Sequence, residues 1–132
     1  MGGIFAFTFG EPRVTPDRAR RVLAGIRLLN GSVALLAPKQ FLRILRVDPE
    51  TNGAAVYALR MFGVRTVYLG YQLLSEKDEA LERAVRSAAY VHASDVAAAV
   101  LAGVTGALPR RAAVAGAITS TVNTSLALLA RG

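Results

Sequence analysis

The chain has 132 residues, of which 53% are hydrophobic and 19% are charged, and it carries 16 Lys and Arg against 9 Asp and Glu. This length fits one domain, and the composition is more apolar than that of average soluble proteins, in which about 25% of residues are charged. The high hydrophobicity excludes intrinsic disorder. Because the chain has no Cys, disulfides, thiolate nucleophiles and Cys-based metal sites are also excluded.

Residues 1–15 are predicted to form an arm ahead of the first helix. In this arm Phe5, Phe7 and Phe9 alternate with small residues, which is typical of a short extended stretch. Such an arm could lie at the membrane interface or dock on a partner, and a frayed terminus would show the same pattern.

Four apolar stretches predict four long helices, at about residues 19–37, 54–74, 88–108 and 112–130. At about 1.5 Å per residue, stretches of this length can cross a hydrocarbon core of roughly 30 Å. The fourth stretch has no charged residue. A soluble, Ala-rich four-helix bundle is the alternative, but it would need a polar stripe along each helix. We therefore expect an all-α, four-helix transmembrane bundle that forms one integral membrane domain over residues 1–132.

Between the first two spans, residues 39–47 predict a short amphipathic helix at the bilayer interface. Lys39, Arg43 and Arg46 recur at i, i+4 and i+7, and apolar residues occupy the other side. We expect these three basic residues to contact anionic lipid or a partner. An ordinary surface helix is the alternative interpretation.

The basic residues also predict the orientation in the cell membrane. Four spans put both termini and the middle connection on one side, with eight Lys and Arg, against five on the other. Cytoplasmic loops carry an excess of Lys and Arg, so we expect both termini in the cytoplasm. The basic residues stand beside apolar runs and no nucleic-acid-binding motif occurs, which favours anionic lipid over nucleic acid as a partner. The eight are Arg13, Arg18, Arg20, Arg21, Lys77, Arg83, Arg86 and Arg131, and the five are Lys39, Arg43, Arg46, Arg110 and Arg111.

Ionisable residues inside the predicted spans form the candidate site. Counting along the helices places Arg27, Arg65 and Asp95 at one level, with His92 one turn before Asp95 and Asn30 nearby. Ionisable groups at membrane depth generally face the bundle interior with a partner, so we expect a buried polar cluster. One carboxylate against two guanidinium groups leaves a positive excess that an anionic ligand would balance. A structural ion pair that holds the helices in register is the alternative.

Arg60 is five residues before Arg65 and on a different side of the same helix, so we expect it to contact lipid or a partner instead. A metal site is not expected, because the spans offer no ligands besides His92 and Asp95. No nucleophile elbow, Walker loop or Rossmann fingerprint occurs, so we expect neither catalytic residues nor a cofactor.

Three features together are typical of a known group of proteins. They are the segment Arg60–Arg65 (RMFGVR), Asp95 early in an Ala-rich third helix, and the short turn Leu108–Arg111 (LPRR). With them the chain resembles, over about residues 19–130, small four-span membrane proteins of unknown function that are common in actinobacteria. The resemblance implies the four-span architecture and supplies no activity.

We expect from these residues a non-catalytic accessory or scaffolding subunit. It would pack against a larger membrane complex, or against further copies of itself, through faces of small residues. The alternative is a small-molecule or lipid-binding or transport protein that uses the Arg/Asp cluster as an anion site.

Overall fold

A computed structural model describes residues 14–132, which form five α-helices and contain no strand. The predicted all-α class is therefore confirmed for these residues. The predicted contact residues Phe5, Phe7 and Phe9 lie outside them. The helices are α1 (Pro16–Leu36), α2 (Pro38–Ile44), α3 (Gly53–Ser75), α4 (Asp78–Val104) and α5 (Arg110–Ala130).

Proline and capping residues set the bounds of the first two helices. The Thr15 hydroxyl accepts a hydrogen bond from the backbone N–H of Arg18 at 3.2 Å, and Pro16 occupies the first helical position. Pro38 lacks the N–H that would continue α1, and it begins α2 instead. The axes of α1 and α2 consequently differ by 107°.

The short helix α2 ends at Ile44, so it is shorter than the predicted 39–47. The N–H of Arg46 bonds to the Arg43 carbonyl at 3.0 Å and the N–H of Val47 bonds to the Leu42 carbonyl at 2.9 Å. These bonds form a Schellman motif, whose left-handed position is occupied by Arg46 at φ 60°. The prediction that Lys39, Arg43 and Arg46 lie on one side of a helix is therefore wrong for Arg46, which lies beyond the end of α2.

The four long helices pack as two antiparallel pairs. α1 lies along α3, α4 lies along α5, and the two pairs meet mainly through α1 and α5. α3 and α4 contact each other only sparsely. The core between the pairs includes Leu23, Leu73, Val85 and Ala127.

Glycines allow the backbones of α1 and α3 to touch. A Cβ added at Gly31 would lie 2.9 Å from the carbonyl oxygen of Gly63, and one added at Gly63 would lie 2.6 Å from that of Gly31. In the other pair, a Cβ at Gly103 would lie 2.8 Å from the Cβ of Ala113. Small residues at such contacts are typical of helix packing in membranes. The glycines at these contacts are thus used for packing within the chain.

The outer surface of the bundle suits lipid. α4 and α5 are each long and apolar enough to cross a membrane, and α1 with α2 would make a third crossing if they are taken as one bent span. Large apolar side chains point outward, among them Leu36 and Val104, each 81% exposed. Exposure on this scale would be unfavourable in water. Two or three helices can therefore span a bilayer. Arg60 and Arg65 make α3 less apolar, although it is 23 residues long.

We expect the protein to remain in the membrane fraction after an alkaline carbonate wash and to require detergent for extraction, because its outer surface is apolar. Immunoblotting of the washed pellet and of the supernatant measures this. Recovery from the supernatant without detergent would contradict a membrane location.

We expect Gly31→Ala to lower the free energy of unfolding by about 1–3 kcal/mol, because overpacking must push α1 and α3 apart. The matched control is Gly25→Ala, since a Cβ at Gly25 meets nothing within 4 Å. That control should be neutral or stabilising by about 0.5–1 kcal/mol. Unfolding by SDS in mixed micelles, followed by circular dichroism, measures both, and equal effects would contradict the close contact.

Candidate functional site

Arg27 is a charged residue on the buried stripe of α1, where it is 2% exposed. It stands four residues after Leu23 and four before Gly31, which are both buried, so helical periodicity places all three on one face. A Cβ at Gly70 would lie 3.2 Å from the Cβ of Arg27. The missing side chain at Gly70 therefore leaves room for the stem of Arg27.

His92 is the direct partner of Arg27. Nε of Arg27 donates a hydrogen bond to Nε2 of His92 at 2.7 Å, and His92 is 4% exposed. A guanidinium group has only donors, so Nε2 must carry a lone pair. This arrangement requires a neutral imidazole with its proton on Nδ1. The bond joins α1 to α4, two helices that do not otherwise pack extensively.

Asp95 lies one turn further along α4. Its Oδ2 is 3.7 Å from Nδ1 of His92, which is longer than a hydrogen bond, and its side chain is 30% exposed. Arg27, His92 and Asp95 thus form a row of polar groups, which we call the central cluster, from the buried centre of the bundle toward its surface. The neutral imidazole separates the cation from the anion.

Arg65 lies at the edge of the central cluster. Asp95 interacts electrostatically with both Arg65 and Arg27, yet no arginine within residues 14–132 approaches its carboxylate to 4 Å. Arg65 is exposed on α3. Asn30 is half-buried and forms no side-chain hydrogen bond with the described residues. The predicted direct pairing of Asp95 with two arginines is replaced by the Arg27–His92 bond, because His92 reaches Arg27 at the bundle centre.

Sequence reasoning missed two buried polar side chains, Thr66 and Asn123, each 6% exposed. Oδ1 of Asn123 accepts no hydrogen bond from the described residues. By contrast, the hydroxyls of Thr121 and Ser125 donate to carbonyls four residues earlier on α5. The sequence signal that could have identified Asn123 is that it carries the only amide side chain on α5. The neighbouring hydroxyl groups, unlike this amide, bond to carbonyls of their own helix.

Asn123 lies at the same depth as His92. A Cβ at Gly116 would lie 3.5 Å from the Cβ of Ala99, which places these two residues opposite each other in the antiparallel pair of α4 and α5. His92 comes seven residues before Ala99, and Asn123 comes seven residues after Gly116. Seven residues are about two turns, so this register carries His92 and Asn123 to facing positions. The buried polar side chains of His92 and Asn123 thus lie at one depth of the bundle.

The other predicted contact residues lie on the surface. Arg60 is exposed on α3, and Arg46 is exposed in the turn after α2. Nζ of Lys39 and Nη2 of Arg43 lie 3.3 and 3.6 Å from Oε1 of Glu50. Within residues 14–132, no three His, Asp or Glu side chains are grouped so that they could hold a metal ion. The groups present can hold helices together or bind an anion.

We expect His92→Leu to lower the free energy of unfolding by about 3–5 kcal/mol, because it leaves the Arg27 charge buried without its acceptor. The double variant Arg27→Met/His92→Leu should recover most of that loss, since apolar groups of similar size replace both partners.

The matched control for this pair is Tyr90→Leu, because Tyr90 lies two residues earlier on α4 and is 71% exposed. Its unfolding in SDS should equal that of the unmodified protein. A double variant as unstable as His92→Leu would show that the Arg27–His92 bond does not hold the bundle.

Comparison with known proteins found no family model, curated protein or solved structure that matches the chain. The resemblance to small four-span membrane proteins therefore stays a prediction.

Proposed function

We propose that the protein is a non-catalytic accessory subunit of a larger membrane protein complex and that it docks through α3. In this proposal all four long helices cross the cell membrane, with both termini in the cytoplasm, where the larger share of Lys and Arg would lie. The observation that supports docking most is the side of α3 that faces away from the bundle.

Five large side chains on that side form what we call the outer α3 face. They recur at intervals of four, three, four and three residues, which is the repeat by which two helices pack along each other. Each is 56–68% exposed, whereas Gly63, Thr66 and Gly70 on the opposite side are buried. The five are Tyr57, Met61, Val64, Tyr68 and Tyr71.

Arg60 and Arg65 flank the outer α3 face on its two sides. In the repeat they occupy the positions next to the apolar row, where charges select the partner helix. Both are exposed. A charged side chain near the bilayer centre costs at least about 2.5–3.5 kcal/mol. A partner helix with carboxylates beside its own apolar row would offset this cost for both arginines.

A second copy of the chain does not fit this face equally well. Two identical helices that pack in parallel through this repeat bring their flanking residues together. A residue on one side of the apolar row then lies near the residue about five positions later in the partner, on the other side of the partner's row. Arg60 would then approach Arg65 of the second copy, and the symmetric contact would repeat the repulsion. Charge complementarity therefore favours a different protein with Asp or Glu in a membrane helix.

We expect a photo-cross-linking phenylalanine at Tyr57 or Tyr68 to capture one protein in native membranes, because both side chains would be covered by the partner helix. The control position is Tyr90, an exposed tyrosine on α4. Mass spectrometry of the product identifies the partner, which must contain a membrane helix with Asp or Glu. Cross-links at Tyr90 alone would contradict docking through α3.

We expect Arg60→Gln/Arg65→Gln to reduce the partner recovered from mildly solubilised membranes by more than about tenfold, since losing one member of a buried charge pair costs about 2–5 kcal/mol. Arg83→Gln, at an exposed arginine on α4, should leave recovery unchanged. A protein that elutes alone, as a monomer or a homo-oligomer, would show that it is not an accessory subunit.

A further inference from the structure

An open groove of about 610 Å³ lies where the turn after α2 meets the start of α5. We propose that this groove binds the phosphate of an anionic phospholipid, with one acyl chain along α5. The proposal does not depend on docking through α3. The groove is lined by Arg46, Arg110, Arg111, Val114, Ala115 and Ile118.

Three arginines and no carboxylate border the groove. None of the three arginines forms an ion pair with another described residue, and the lining contains no Asp or Glu. The nearest basic residues of α2 differ in this respect, because Lys39 and Arg43 share Glu50. Three arginines from two separate segments therefore border one groove without an ion pair to another described residue.

Two of these arginines occupy positions that do not favour helix stability. Arg110 and Arg111 stand in the first turn of α5, which has no acidic residue. Positive charge there is unfavourable because the helix dipole is positive at its N-terminal end. A phosphate between the arginines would reverse this effect, and guanidinium groups bind phosphate through paired N–H donors.

The third arginine reaches the groove through an unusual backbone conformation. Arg46 has φ 60°, in a Schellman position that glycine usually occupies. This conformation takes Arg46 out of α2 and into the lining shared with Arg110 and Arg111.

The groove continues from the arginines onto an apolar wall. Val114 and Ile118, one turn apart on α5, are 49% and 60% exposed. α5 is one of the helices that are long and apolar enough to cross a membrane. Charge at the end of such a helix and an apolar wall below it match a phospholipid, whose phosphate and acyl chain are joined. A free phosphate would use the arginines alone.

The test uses Ile118→Trp, because the chain has no tryptophan and the introduced one reports on the groove wall. The full chain is placed in bilayers that mix phosphatidylcholine with phosphatidylglycerol brominated on its acyl chains, and quenching of fluorescence is measured. We expect brominated phosphatidylglycerol to bind at the groove at least about fivefold more strongly than brominated phosphatidylcholine. One arginine close to an anionic lipid surface already strengthens binding by about fivefold.

The decisive comparison adds Arg46→Gln/Arg110→Gln/Arg111→Gln, which should abolish the preference. The matched control, Lys77→Gln/Arg86→Gln/Arg131→Gln, removes the same charge from other parts of the chain and should retain it. An equal preference in both variants would overturn the site, because the effect would then come from net charge alone.

Inorganic phosphate separates the two possible sources of the anion. If phosphatidylglycerol shows no preference, while millimolar phosphate, and not an equal ionic strength of chloride, shifts the emission of the introduced tryptophan, the groove binds free phosphate and the lipid proposal fails. If the triple variant does not fold, as judged by circular dichroism, the single variant Arg46→Gln is used. An unchanged preference in that folded variant would also overturn the proposal.

Discussion

Burial of the Arg27 guanidinium determines how the two helix pairs can be arranged. Removing such a charge from water is costly, so it must face an acceptor, and His92 on α4 supplies one at 2.7 Å. The bond connects α1 with α4, which belong to different pairs. The pairs can therefore rotate or slide against each other only by breaking it. Asn123 on α5 lies at the depth of His92 and is also buried.

Close backbone contact is the second constraint, and it explains which surfaces remain free. Gly31, Gly63 and Gly70 allow α1 and α3 to lie so close together that no side chain fits between Gly31 and Gly63. The side of α3 that carries small residues is consequently turned inward. The large residues on the opposite side of α3 then point outward, among them Tyr57 and Tyr68. The close contact between α1 and α3 thus determines which side of α3 forms the outer α3 face.

Charge is distributed in three different environments. Arg27 is buried and paired with a neutral imidazole, whereas Arg60 and Arg65 are exposed along a helix that lies beside the apolar ones. Arg46 lies at one end of the bundle, next to the start of α5. Arg27 has its hydrogen-bond acceptor inside the chain. We propose a carboxylate on a partner helix as the counterpart of Arg60 and Arg65, and the phosphate of a lipid as the counterpart of Arg46. The basic net charge of the chain therefore combines separate effects.

The sequence by itself predicted the approximate positions of the helices, because apolar runs act locally. The largest difference is at α4, which begins at Asp78, ten residues before the predicted 88. It also predicted that Arg27, Arg65 and Asp95 lie at one level, with His92 one turn before Asp95, since depth follows from counting along helices. Only the tertiary structure decided that His92, and not Asp95, bonds to Arg27, and that Asn123 lies at the depth of His92. These outcomes depend on how helices rotate about their axes and on long-range contacts, and neither is encoded in the spacing of residues within one helix.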